Sequence, residues 1–129
     1  GRADVQVFDL PYFTGPDACL HLMSLVSVLD HDLALVYEPL LPVALHQLLL
    51  DRGYTLLAAP PEEFAASSGL NLNVLATSPR SVIAVDGFPQ TQALMRAAGC
   101  DVATFPGDEL CIPCEGGPTC LTRPLWREP

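Results

Sequence analysis

The stretch VIAVDGFPQTQALMRAAGCDVATF, residues 82–105, decides the fold. It opens on an unbroken apolar run, passes through Gly87 and Pro89, continues at helical period, stops at Gly99 and returns to a second β-rich run. Proline suits the first turn of a helix, where its missing N–H costs nothing, and glycine suits the left-handed position just past the last turn. Leu94, Ala97 and Ala98 then share one helical face. Apolar runs that do not alternate with polar residues predict strands covered on both sides. The segment reads as strand, helix, strand, closed by the acidic turn PGDE at 106–109.

Residues 33–63 follow the same plan: LALVY, a proline-marked bend, the helix-period segment PVALHQLLLDRG, a second β-run YTLLAA and the acidic turn PPEE. Pro42 matches Pro89, Gly53 matches Gly99, Pro60 matches Pro106 and Glu63 matches Glu109, at offsets of 46 or 47 residues. In the first helix Leu45, Leu48 and Leu49 share a face. A further apolar run precedes each unit, so the repeat is strand, strand, helix, strand. Its copies fall at about 20–68 and 69–117, with a final strand at 118–125, all within one domain, 1–129. Periods of this size mean stacked or circular arrays. A polar residue opens each copy: His21, Asn71 and Cys120, spaced 50 and 49 residues apart. Copies arranged about an axis bring these side chains together at its centre, whereas a linear solenoid holds them apart. The acidic pairs Glu62-Glu63 and Asp108-Glu109 read as solvated turns at strand ends.

Composition narrows the classes. The chain has 129 residues, 50% of them hydrophobic and 16% charged, with a net charge of −9. That length suits one domain with an adequate core, and the apolar share excludes a disordered chain. Six basic residues, all arginine and scattered among fifteen carboxylates, leave no basic face for nucleic acid. The longest apolar run, Leu40 to Leu50, is interrupted by Pro42, His46 and Gln47 and is too short to span a bilayer. The opening residues GRADVQVF lack the layout of a signal peptide. Five irregularly spaced cysteines, an odd number, read as reduced thiols of a cytoplasmic protein rather than a disulfide framework.

Three groups of residues carry chemistry. Cys120 follows Glu115-Gly116-Gly117-Pro118-Thr119; glycines admit close backbone approach, and a thiolate is the strongest side-chain nucleophile at neutral pH. The bland alternative is a small buried cysteine. His21, flanked by leucines, has an unperturbed pKa suited to proton transfer, although such a histidine is as readily a hydrogen-bonded core residue. Cys111 and Cys114 have the gap of a metal knuckle or redox pair, and Cys120 adds a third thiol, but no second knuckle completes a zinc site.

Cys19-Leu-His21-Leu-Met-Ser, Asn73-Val-Leu-Ala, a helix ending Ala-Ala-Gly99-Cys100, and Gly116-Gly-Pro-Thr-Cys120-Leu-Thr-Arg-Pro-Leu occur in that order. Together they resemble the C-terminal half of the guanidine-modifying enzymes: arginine deiminases, dimethylarginine dimethylaminohydrolases and amidinotransferases. The likeness runs from about Val5 to Arg127. It implies a pentein-type α/β propeller of ββαβ modules, of which this chain holds two to two and a half. It also implies a cysteine-dependent hydrolase, or an amidino transferase, acting on arginine or a methylated arginine. Cys120 is then the nucleophile that forms a thiouronium-type intermediate, and His21 the general acid and base. Gly116 and Gly117 shape the backbone beside the thiol, and Asn71 is an auxiliary polar residue at the axis. No cofactor or metal is implied, and the partner is a small guanidino substrate, not a nucleic acid or a membrane.

Two departures from the pattern stand out. Met23 occupies the place where deiminases and amidinotransferases usually carry an aspartate that holds the guanidinium; dimethylarginine hydrolases also lack it. The terminal Gly-Gly-Pro-Thr-Cys is closer to the deiminases. The chain is also about half the length of a family enzyme, whose N-terminal modules supply a substrate-binding aspartate and a glutamate that partners the histidine. Half a ring exposes strand edges and apolar faces, so a homo-oligomer or association with an N-terminal half is expected, with weak or no activity alone. A non-catalytic binding or assembly module of the same fold is the alternative.

Overall fold

A computed structural model describes residues 4–19 and 21–126. Residues 1–3, Leu20 and 127–129, which belong to the expected domain and to the start of its first repeat, lie outside the described residues. The chain is mixed α/β with two three-stranded sheets. The first contains β1 (Val26–Asp30), β2 (Leu33–Val36) and β3 (Thr55–Ala58), with helix α1 (Val43–Asp51) between β2 and β3. The second contains β4 (Leu75–Ser78), β5 (Ser81–Val85) and β6 (Asp101–Phe105), with α3 (Pro89–Ala97) between β5 and β6. Helix α2 (Pro61–Ser67) joins the sheets.

The two sheets are built alike. An antiparallel hairpin pairs Val26 with Val36 and, in the second copy, Leu75 with Ile83. A helical crossover then returns the chain in parallel, pairing Leu33 with Thr55 and Ser81 with Asp101. Each hairpin carries an irregularity near its turn, between Val28 and Asp30 and between Ala76 and Ser78. The repeated strand–strand–helix–strand order thus matches the repeat in the sequence.

Every residue of the central strand β2 is buried, as its unbroken apolar run requires. The edge strand β3 is only partly covered, so coverage on both sides holds for the centre of the sheet and not for its margin. Leu25, Leu29, Leu35, Leu72 and Met95 are fully buried, and each buried side chain of this size contributes about 1.5–3 kcal/mol. Gly53 and Gly99 adopt positive φ after α1 and α3, where the sequence places them. The buried face of α3 is Thr91, Gln92 and Met95, whereas Ala97 is exposed. Leu94 and Ala98 of the expected face pack partly buried against the core, and Ala97 alone turns outward, while Thr91 is held inward by the buried Glu63 carboxylate.

Two further expectations are corrected by the structure. The acidic segment PPEE is the first turn of α2 rather than a strand-end turn, because Pro61 sits at a helix start where proline is favoured. The segment 118–125 is not a strand: it begins with the helical turn α4 (Pro118–Leu121), with Pro118 at the first position and extended Gly117 as its N-cap. Asp108 and Glu109 do lie exposed in a turn.

Polar contacts join the two halves. Ser27, fully buried on β1, donates its hydroxyl to Leu72 O and accepts from Val74 N at 3.3 Å. Arg80 N donates to Leu29 O, and the Arg80 guanidinium binds Asp30, Asp32 and Ala98 O. The Asp30 carboxyl is held below the usual carboxylate range, first by the His31 backbone N–H and then by Arg80, against the opposing effect of its own desolvation. Gly69 lies at φ +85°, where a Cβ would approach Ser24 O to 3.1 Å. That close approach seats the turn before β1 against the turn before β4.

Candidate active site

Cys120 sits in the single turn α4 with its side chain exposed. One residue from the second half secures that turn. Asn73, buried just after the 3-10 turn Leu70–Leu72, accepts at Oδ1 from Thr119 N at 2.9 Å and from Thr119 Oγ1 at 2.7 Å. A backbone N–H in the first helical turn has no partner within its own helix, so Asn73 caps α4 from a distant segment. Its Nδ2 donates to Cys120 Sγ at 3.0 Å.

The two glycines are needed for this approach. A Cβ on Gly117 would stand 2.5 Å from Asn73 Cγ and 2.6 Å from its Oδ1. A Cβ on Gly116 would meet Cys120 Cβ at 3.1 Å. Gly116 N also donates to Cys111 O at 3.0 Å, closing the loop that leads into the turn. Gly116, Gly117 and Cys120 are therefore brought together, as the sequence suggested.

Asn71 is placed elsewhere. It is buried, takes its N–H to Ser67 Oγ at 3.2 Å and donates Nδ2 to Thr91 Oγ1 at 3.1 Å. Residues two apart in a 3-10 turn project in different directions, so Asn71 serves the core while Asn73 serves the thiol. The N-caps of the three equivalent turns are His21, Gly69 and Gly117, at a constant interval of 48 residues. In that register Met23, Asn71 and Thr119 correspond, as do Ser24, Leu72 and Cys120. The match of His21 with Asn71 and Cys120 was thus out of step by two or three residues. In the sequence Asn73 stands only as the first residue of the Asn73-Val-Leu-Ala motif. Its one signal is that it is a polar residue set between Leu72 and Val74, both buried.

His21 is exposed at the N-cap of the turn Leu22–Ser24, its carbonyl accepting from Ser24 N at 3.0 Å. This turn packs against Leu70–Leu72, the turn that delivers Asn73. Among the described residues no hydrogen bond joins His21 to Cys120. Met23 beside it is also exposed.

The remaining thiols differ in kind. Burial pushes the Cys19 and Cys100 thiols up, and Cys111 is pushed up by burial and then by the proximity of Cys114 and Cys120. A protonated, buried thiol is a poor nucleophile. Cys114 and Cys120 are the two exposed thiols. Among the described residues no three His, Cys, Asp or Glu side chains gather as a metal site. A cleft of about 190 Å³ lies between Asp86, Phe88, Gly107 and Asp108, and another of about 210 Å³ runs from Thr77 to Thr122 and Trp126. Neither is walled by Cys120 or His21.

Comparison with known proteins places the chain in a family. Residues 38–127 match the family model for arginine deiminase. The arginine deiminase of Rhodococcus jostii is 26% identical over 139 aligned positions, covering 87% of this chain and 34% of that protein. The arginine deiminase of Mycoplasma capricolum is 46% identical over 56 residues, covering 43% of this chain and 14% of that protein. Among solved structures, SxtG, an amidinotransferase from Microseira wollei, superposes with a TM-score of 0.72 at 21% identity, over 85% of this chain and 34% of that one. The last likeness is one of fold. The chain spans about a third of the length of the Rhodococcus relative and of SxtG. With a family model matched over most of its length, the chain belongs to the arginine deiminase family, within the guanidine-modifying superfamily.

Proposed function

We propose that this chain carries the nucleophile-bearing part of an enzyme that acts at the guanidino carbon of arginine or a methylated arginine. The observation that carries the reading is an exposed thiol on a capped turn, hydrogen-bonded by a buried amide and flanked by two glycines. Cys120 attacks the guanidino carbon. The resulting C–S bond is kept as the C–N bond breaks, and His21 gives the departing amine its proton. His21 then takes a proton from the water, or acceptor amine, that displaces the sulfur. The substrate's positive charge stabilises the thiolate, and the net charge of −9 favours the approach of a cation. Gly117 makes room for the Asn73 side chain and Gly116 lies against Cys120, so the two shape the backbone beside the sulfur. The fold is read as part of a pentein propeller acting in the cytoplasm; no helix among the described residues is long and apolar enough to cross a membrane.

The acidic groups that grip the guanidinium come from other modules, supplied by a longer polypeptide, an N-terminal partner or a second copy. Exposed Val5, Val7, Tyr12, Phe13, Leu125 and Trp126 support such assembly. The second reading, a module that kept the fold without catalysis, is favoured by Met23 where an aspartate is usual in deiminases. Turnover of arginine and of dimethylarginine, measured as ureido product by this chain alone and by this chain joined to the N-terminal modules of an arginine deiminase, separates the two. Cys120→Ser is expected to abolish turnover, and His21→Ala to lower it by roughly 10²–10⁴-fold. Turnover within twofold of the parent in His21→Ala contradicts the assigned role.

A further inference from the structure

We infer that Asn73 is a positioning residue for the Cys120 thiol, orienting the sulfur for attack through the side-chain N–H; the inference rests on Cys120 being the nucleophile. The orientation of the amide is set by its neighbours. Thr119 N can only donate, so the atom 2.9 Å from it is the amide oxygen, and the amide nitrogen is left facing sulfur at 3.0 Å. The Thr119 hydroxyl, 2.7 Å from the same oxygen, adds a second restraint against a flip. Gly117 packs against Asn73 at a distance only glycine allows, since an added Cβ would lie 2.5 Å from Asn73 Cγ.

The choice of residue separates this role from capping. Asp caps a helix as well as Asn does, and its charge suits a helix N-terminus better. Only the amide also offers a donor to sulfur. A hydrogen bond from an N–H to a thiolate favours the ionised form, which is the form that attacks. Asn73 therefore does for the sulfur what a cap alone does not require.

The test compares alkylation of individual cysteines by iodoacetamide, a neutral probe, with rates read by peptide mass spectrometry and exposed Cys114 as the internal reference. In the parent chain Cys120 is expected to outpace Cys114. Asn73→Asp keeps the acceptor for Thr119 but removes the donor, and should slow Cys120 by about tenfold or more while leaving Cys114 and thermal unfolding nearly unchanged. Asn73→Ser, which brings no charge and does not reach the sulfur, should slow Cys120 likewise and decides the matter if the aspartate variant fails to fold. An unchanged Cys120 rate in a folded variant overturns the role of Asn73 and leaves the nucleophile in place. Equal rates at Cys120 and Cys114 in the parent chain overturn the nucleophile, and the role of Asn73 with it.

Discussion

Replacing Glu63 with alanine is expected to cost about 3 kcal/mol of stability, a fall in Tm on the order of 15 °C for a domain of this size. Glu63 lies on α2, but its carboxylate reaches the start of α3, accepting from Gln90 N at 2.8 Å, Thr91 N at 2.9 Å and Thr91 Oγ1 at 2.6 Å. The N-cap of α3 is Phe88, which has no side-chain acceptor, so those N–H groups depend on Glu63. A carboxylate there also meets the positive end of the helix dipole. Alanine leaves two backbone donors without their acceptor, that of Thr91 buried and that of Gln90 partly so, and glutamine turns one amide N–H toward another donor, so Glu63→Gln should fall between. Glu62, exposed one residue earlier, provides the control: Glu62→Ala should stay within about 0.5 kcal/mol in urea denaturation. Equal effects at the two positions would contradict the capping account. Asn71 and Ser67 extend the same network, which ends two residues short of Asn73. Loss of Glu63 is thus expected to loosen the turn that holds the thiol.

Gly117→Ala should disable the site more directly. The backbone at this position is extended, with φ −93°, so alanine meets no torsional barrier. The obstacle is steric: its Cβ would lie 2.5–2.7 Å from three atoms of Asn73. Either Asn73 or α4 has to move, and both bonds to Thr119 and the bond to Cys120 go with it. Overpacking of this kind costs about 1–3 kcal/mol, and the alkylation rate of Cys120 should fall to that of Cys114. Gly116→Ala, whose Cβ has a nearest contact of 3.1 Å, should cost less stability while crowding the sulfur itself. An alanine at 117 with parent stability and parent Cys120 reactivity would show that the close packing on Asn73 is dispensable.

The sequence made the repeat legible because strand and helix periods are properties of local pattern. LALVY became the buried β2, PQTQALMRA became α3, and Gly53 and Gly99 closed their helices. The errors share a different origin. Glu63 and Asn73 each cap a helix that starts 26 or 45 residues later in the chain, and hydrophobic pattern does not say which polar residue will be buried to do so. Thr-Cys-Leu-Thr at 119–122 carries β-favouring residues, yet Pro118 and the Asn73 cap fix a helical turn there. The assignment of Asn71 rather than Asn73 beside the thiol followed from a repeat interval of 49–50. The folded turns repeat at 48, which aligns His21 with Gly69 and Gly117, so the interval points to neither asparagine and Asn73 is recognised only by its bonds to Thr119 and Cys120.

The central claim is that Cys120 attacks a cationic amidine carbon or its analogue in preference to every other thiol of the chain. Its most direct test is labelling with a haloacetamidine at neutral pH against the isosteric neutral haloacetamide, with each cysteine followed by peptide mass spectrometry. The account predicts that the amidine modifies Cys120 first, ahead of Cys114 and far ahead of buried Cys19, Cys100 and Cys111, and that the cation is preferred over the amide at Cys120 alone. Uniform labelling of Cys114 and Cys120, with no preference for the cation at either, would contradict it.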